Sequence, residues 1–213
     1  MKTRSKALLL TLCAVLLVAA SVLGTMAYLT STDTVTNTFT VGSVAIKLDE
    51  AQANTDGTLV PNAERVKANS YKLLPGHTYN KDPMVTVLSG SEPSYVKMTV
   101  TFSKANELDA IFAPGGADLT KIFNGYDPAN WTYKDNTTDV TANTRTYEFW
   151  YKEAVGAPDG DVALDALFDS ITVPGSVTKE QLATIEGMTI TVNAFAIQAD
   201  GFADAGAAWA AFN

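Results

Sequence analysis

The sequence contains few of the residues that build metal sites and nucleophilic centres. Its 213 residues include one cysteine, Cys13, and one histidine, His77. A single cysteine cannot form an internal disulfide, and a lone histidine cannot complete a zinc site without several carboxylates. The sequence also has no H-E-x-x-H or G-x-S-x-G motif. We therefore predict no cofactor, no bound metal and no catalytic residue.

Positive charge is also scarce. The chain has 15 Lys and Arg residues against 23 Asp and Glu residues, which gives a net charge of −8. Residues 1–27 hold three of the basic side chains and none of the acidic ones, so their removal would change the net charge to −11. An acidic surface repels phosphate backbones, and we therefore predict that the protein does not bind nucleic acid.

The one long apolar run lies at the N-terminus. Basic residues stand at positions 2, 4 and 6, residues 7–23 are apolar except for Thr11 and Ser21, and Thr25-Met26-Ala27 follows. This order is typical of a secretory signal with a small-x-small cleavage site. We predict cleavage between Ala27 and Tyr28, secretion to the cell surface or matrix, and membrane contact only through the uncleaved signal.

Residues 28–213 are predicted to form one domain, and alternating apolar residues predict strands within it. Val44, Ile46 and Leu48 alternate with polar or small residues, and residues 95–102 place Val96, Met98, Val100 and Phe102 on one face. Residues 131–134 and 144–152 indicate a hairpin around a polar loop, residues 135–143. The fold class predicted is mainly β, an antiparallel sandwich of the jelly-roll or immunoglobulin-like kind.

A few short helices are predicted between and after these strands. Helical spacing of apolar residues favours helices at residues 104–112 and 162–168. Thr178 followed by Gln181 predicts a capping box at the start of a helix over residues 178–185. The Ala-rich tail, residues 202–212, is predicted to be helical, and residues 50–69 are predicted to be a polar loop.

Three sequence blocks together carry a family resemblance. The first is T-x-A at the end of the signal, followed by Asn37-Thr38-Phe39-Thr40-Val41-Gly42 and the strand to Leu48. The second is Leu74-Pro75-Gly76 with Lys81-Asp82, which keeps the spacing of the block L-x-P-G-x4-K-D, and the third is residues 190–202 with Ala208-Trp209. The chain resembles the SipW-processed, TasA/camelysin-like surface proteins of Gram-positive bacteria, with residues 103–175 only loosely matched.

The resemblance implies an extracellular fibre subunit of the biofilm-matrix type, cleaved by a SipW-type signal peptidase. It implies a homo-oligomeric filament, with other matrix subunits as possible partners, in which an N-terminal strand of one subunit completes the sheet of the next. We predict that Tyr28–Leu48 is this donor strand and that its inserted apolar residues are Phe39, Val44, Ile46 and Leu48. Strand addition of this kind supplies backbone hydrogen bonds along a sheet edge.

Other interpretations remain open from the sequence. Aromatic residues concentrate on the predicted hairpin, where they serve either core packing or the binding face of a monomeric adhesin. A secreted hydrolase is a further alternative, because a catalytic carboxylate pair needs no local motif. Asp159, Asp161 and Asp165 have oxygen ligands at a calcium-like spacing but lack the distal glutamate of an EF-hand, which favours a solvated acidic loop.

Overall fold

The computed structural model describes residues 3–28, 42–112 and 122–212. Contacts divide the chain into two compact units, residues 1–41 and residues 42–213. The first unit contains helix α1, Thr3–Tyr28, whose side chains are described for residues 5–20 and are exposed there. Among the described residues, no helix combines the length and the apolar character needed to cross a membrane.

The second unit is built mainly from antiparallel strands. Its described elements are β1 Ile46–Asp49, β2 Thr78–Asn80, β3 Met84–Val87, β4 Ser91–Ser103, α2 Ala105–Ile111, β5 Trp131–Asp139, β6 Thr144–Tyr151, β7 Val155–Ala157, β8 Val162–Ala163, β9 Ser170–Thr172, α3 Lys179–Thr184, β10 Ile190–Gln198 and α4 Ala205–Ala211. The predicted class, mainly β with a few short helices, is confirmed.

The strands of the described ranges form three sheets. One has the order β1-β3-β8, a second has the order β10-β4-β6-β5 with β7 also paired to β4, and β2 pairs with β9. Every pair within these sheets is antiparallel. One cluster of buried side chains draws Val85 and Val87 from the first sheet and Val96, Met98 and Phe149 from the second. The two larger sheets therefore share one core, as in a sandwich.

Strand β4 is the centre of this sandwich. Val96, Met98, Val100 and Phe102 alternate along it and are at most 3% exposed, as the period-two pattern predicts. The strand pairs with β10 on one side and with β6 on the other. Because β4 has a neighbour along both sides, the edge strands of this sheet, among the described residues, are β5 and β10.

The hairpin after α2 is longer than the sequence pattern predicts. The expected polar loop, residues 135–143, is wrong: β5 continues to Asp139, and the turn is confined to residues 140–143. Thr137 and Thr138 pair with β6 although both are exposed. Threonine suits an extended backbone without being buried, so polarity alone hides this half of the strand.

Helix predictions have mixed outcomes. Helices α2, α3 and α4 are confirmed, and Thr178 caps α3 in a capping box with Gln181. The helical turn expected at residues 162–168 is wrong. Val162–Ala163 forms β8 on the edge of β3, and the apolar residues that follow are buried in irregular backbone. A short apolar run has the same composition in both conformations, and pairing with β3 decides between them.

Candidate functional site

The predicted site residues fall into two parts of the chain. Thr25, Ala27 and Tyr28 lie at the end of α1, where side chains are outside the described set, and Phe39 lies outside the described residues altogether. Val44, Ile46 and Leu48 are described and half-buried, and Ala45 and Lys47 between them are exposed as predicted, whereas Asp49 after Leu48 is buried. The structure therefore describes three of the four predicted donor residues.

Ile46 and Leu48 pack against the core of their own subunit. Strand β1 pairs with β3 in the register Ile46–Val87 and Leu48–Val85, so both side chains share a face with buried valines. The approach to the strand is also fixed, because the Ala45 N–H donates to Ser91 Oγ at 3.1 Å and the Glu92 N–H donates to the Ser43 carbonyl at 2.9 Å. Strand β1 is therefore already paired with β3 of its own chain.

Strand β10 is an edge strand of its sheet and lies near β1. It is nine residues long, has the sequence ITVNAFAIQ, and contains neither proline nor a charged residue. Within the described ranges it pairs only with β4. Soluble proteins usually protect a long edge with charge, proline or a bulge, since unpaired backbone groups attract other strands. These protections are absent along β10 itself.

Half-buried apolar side chains line the side of the sandwich where β1 and β10 come into contact. They pack on the core cluster without being fully covered, and they are Ile46, Leu48, Ile190, Val192, Ala194 and Ala196. The C-terminal end of β1 is partly protected against the addition of another strand, because Lys67 Nζ donates a hydrogen bond to the Leu48 carbonyl. The less protected acceptor for an added strand is therefore β10.

An arginine fixes the end of β1 to the start of β3. The Arg65 Nε donates to Asp49 Oδ1 at 2.6 Å, and its Nη1 donates to Asp82 Oδ2 at 2.8 Å. Its Nη2 donates to the backbone carbonyls of both aspartates. Lys47 Nζ also lies 2.6 Å from Asp49 Oδ2. We call Arg65, Asp49, Asp82 and Lys47 the strand clamp.

Burial and ion pairing oppose each other at Asp49. The side chain is 2% exposed, and this burial alone would raise its pKa. The hydrogen bonds and charges of Lys47 and Arg65 outweigh burial, so the pKa of Asp49 is lowered below its usual value. The charged form is therefore the form that stabilises the folded clamp.

A second charged group lies beside the clamp. Lys81 Nζ is 2.5 Å from Glu50 Oε2, and both side chains are less than one-tenth exposed. Asn69 Nδ2 donates to Glu50 Oε1 at 3.0 Å. Burial, with a smaller contribution from the charge of Glu50, raises the pKa of the nearby Tyr71. We call Glu50, Lys81 and Asn69 the buried triad.

The clamp and the triad show what the K-D pair of the second sequence block contacts. Lys81 and Asp82 bind Glu50 and Arg65 respectively, so the pair holds the end of β1 from across the sheet. No local pattern predicts Glu50, Arg65 or Asn69 as partners, because all three lie in residues 50–69, a stretch typical of a polar loop. The long-range pairing of Glu50 with Val66, together with the Arg65 and Lys67 contacts, brings that loop back to β1.

Acid should weaken the strand clamp. Because the pKa of Asp49 is lower in the folded state, its contribution to stability is present above the unfolded value, about 3.9, and is lost as pH falls through the folded value. We expect the free energy of unfolding to fall below about pH 4, with a shallower fall in Asp49→Asn. Urea unfolding of both proteins across this range checks the expectation, and equal pH slopes would contradict it.

Most hairpin aromatics belong to the core. Trp131, Tyr147 and Phe149 are at most 2% exposed, and the Trp131 Nε1 donates to the Asp165 carbonyl at 3.0 Å. Trp150 lies on the opposite face, with Lys134 Nζ 4.1 Å from its ring centroid. It lines a groove of ≈ 590 Å³ between the hairpin and the start of α4. Core packing therefore accounts for most of the aromatic cluster, and Trp150 is left beside an open groove.

The acidic loop and the histidine do not combine into a ligand set. Asp161 Oδ1 accepts the Ser89 N–H at 2.8 Å, and Asp165 Oδ2 accepts the Tyr151 hydroxyl at 3.3 Å. His77 is exposed, 6.4 Å from the ring of Tyr79. Across residues 3–28, 42–112 and 122–212, no group of three or more His, Cys, Asp or Glu side chains is arranged to hold a metal ion.

The chain was also compared with protein-family models, curated proteins and solved structures, and none of them matches it.

Proposed function

We propose that the protein is an exported subunit of an extracellular fibre, assembled by addition of an N-terminal donor strand to the open edge of a neighbouring subunit. The observation that carries this proposal is β10, a nine-residue, uncharged and proline-free edge strand. An added strand would satisfy its backbone groups and cover the half-buried row that begins with Ile190 and Val192. Strand addition is a common way to bind an exposed sheet edge.

Of the predicted donor segment, Tyr28–Leu48, only the part before β1 is proposed to act as the donor. Ile46 and Leu48 pack on their own subunit, so we propose that β1 stays in place and that the preceding leader, with Phe39, reaches the next β10. The strand clamp favours this arrangement because it fixes the C-terminal end of β1. Such a contact joins unlike surfaces head to tail, and repetition gives an open filament.

A charge on the inner face of β10 tests this proposal. Ala194 lies opposite the buried Met98, and the exposed Asn193 lies opposite Thr99 on the other face. An added strand would bury a lysine at position 194, at a cost of several kcal/mol for an unpaired charge. We expect Ala194→Lys to weaken association by at least about two powers of ten, whereas Asn193→Lys should assemble normally.

Sedimentation velocity of both variants measures the effect, with circular dichroism as the control for folding. In the free subunit the lysine can extend along the open edge into water, so folding should survive. Filaments of ordinary length from a folded Ala194→Lys would contradict assembly through β10.

A monomeric adhesin is the second candidate, and the groove beside Trp150 favours it. An aromatic ring beside polar groups such as Lys134 and Asp204 is a common arrangement for binding a polar ligand. The adhesin should bind through Trp150 without assembling, so a Trp150→Ala variant that still forms filaments would separate the two candidates.

A further inference from the structure

The buried triad brings together the amine of Lys81, the carboxylate of Glu50 and the carboxamide of Asn69 at a site that is largely shielded from solvent. Lys81 and Glu50 are 7% and 6% exposed, and Asn69 is half-buried beside them. Both oxygens of Glu50 are engaged: Oε2 faces Lys81 Nζ at 2.5 Å, and Oε1 accepts from Asn69 Nδ2 at 3.0 Å. One carboxylate therefore contacts a potential nucleophile and a potential leaving group at the same time.

Both polar atoms of the Asn69 carboxamide, Nδ2 and Oδ1, make hydrogen bonds. Its Nδ2 donates to the Ala51 carbonyl at 2.9 Å as well as to Glu50, and its Oδ1 accepts the Ala53 N–H at 2.8 Å. These contacts fix the plane of the amide. They also place a backbone donor on the oxygen that would become negative if the carbonyl carbon were attacked.

We propose that Lys81 and Asn69 form an intramolecular isopeptide bond, with Glu50 as the group that transfers the protons. Lysine amines are established protein nucleophiles when a neighbouring base accepts their proton. Hydrogen bonds hold all three groups together in the folded chain, which replaces a slow encounter between two side chains with a reaction inside one site.

The reaction balances within the triad. Glu50 takes a proton from the Lys81 ammonium, and Nζ attacks Cγ of Asn69 to form a new C–N bond. The Ala53 N–H stabilises the resulting negative charge on Oδ1. Glu50 carries the protons that Nζ gives up to Nδ2, the Cγ–Nδ2 bond breaks, and ammonium leaves. Glu50 ends as the carboxylate it was at the start, and no group is oxidised or reduced.

The bond would close a covalent loop through residues 70–80, which include the turn Leu74-Pro75-Gly76. It would also tie the loop after β1 to the residue that follows β2, next to the strand clamp. A closed loop restricts the unfolded chain and so stabilises the folded one. The inference does not depend on fibre formation, and it holds equally for a monomeric surface protein.

Intact mass under denaturing conditions tests the bond. The purified chain should be lighter by one ammonia molecule than its sequence requires, and Lys81→Arg, Glu50→Gln and Asn69→Ala should each restore the full mass. Arginine keeps the charge at position 81 but cannot act as a neutral amine. The exposed residues Lys72 and Glu64 provide matched controls, because Lys72→Arg and Glu64→Gln should still lose ammonia.

Tryptic peptides of the unmodified sequence assign the bond even where a variant fails to fold. Trypsin should not cut after Lys81, and the peptide 73–97 should be joined to the peptide 68–72. The full calculated mass in the purified chain would overturn the proposal. So would an ammonia loss that persists in Lys81→Arg, because Lys81 would then not be the nucleophile.

Discussion

Removal of residues 28–41 from the processed chain is expected to leave a folded subunit that no longer forms filaments. The remaining chain, Gly42–Asn213, is a compact unit and contains every residue of the described core clusters. The lost segment contains Phe39 and the leader proposed to pair with β10. Burial of one such side chain contributes about 1.5–3 kcal/mol, and each strand hydrogen bond adds about 0.5–1.5 kcal/mol.

These contributions together correspond to several powers of ten in the association constant of each junction. Filament length by electron microscopy and sedimentation of both chains provide the measurement. Phe39→Ser should weaken assembly in the full-length leader, and Thr40→Ser, on the alternate face of an extended strand, should not. A deletion variant that is folded and still forms normal filaments would exclude the leader as the donor and favour the adhesin.

Arg65→Ala is expected to destabilise the second unit strongly. It leaves the Asp49 side chain, which is 2% exposed, with Lys47 as its remaining ion-pair partner. Breaking a buried pair from one side costs about 3–5 kcal/mol. Arg65 is 27% exposed, so we expect the lower end of that range. The end of β1 should loosen as a consequence.

Urea unfolding measures the loss, and hydrogen exchange of the Leu48 and Asp49 amides locates it. Lys67→Ala is the matched control, because the exposed Lys67 contacts the same strand through a single carbonyl and should cost less than about 1 kcal/mol. Arg65→Lys keeps the charge without the forked geometry and should fall between the two. Equal unfolding curves for Arg65→Ala and Lys67→Ala would show that the clamp does not hold β1.

The sequence was sufficient to predict elements whose apolar period matches their burial. Residues 96–102 alternate cleanly because β4 has the core on one face, and Thr178 caps α3 through contacts that span only three residues. Residues 135–139 and 162–168 were predicted wrongly, because pairing with β6 and β3 determines their conformation. The composition of a short segment does not indicate which distant strand pairs with it.

The same limit applies to the candidate site. Alternation along Val44, Ile46 and Leu48 was enough to predict a half-buried strand, and its face is confirmed by the register with β3. The acceptor edge could not be predicted, because β10 lies far along the chain and becomes an edge only through the sheet order. The buried triad was missed for a related reason: Glu50, Asn69 and Lys81 come together only when the loop folds back on β1.

Negative-stain electron microscopy of the purified chain beginning at Tyr28 tests fibre formation most directly. Filaments with a repeat of one subunit are the expected result, and they should be absent from Ala194→Lys and present in Asn193→Lys. Isolated particles of the unmodified chain at every concentration and salt condition, with sedimentation showing only monomers, would contradict assembly through the open edge.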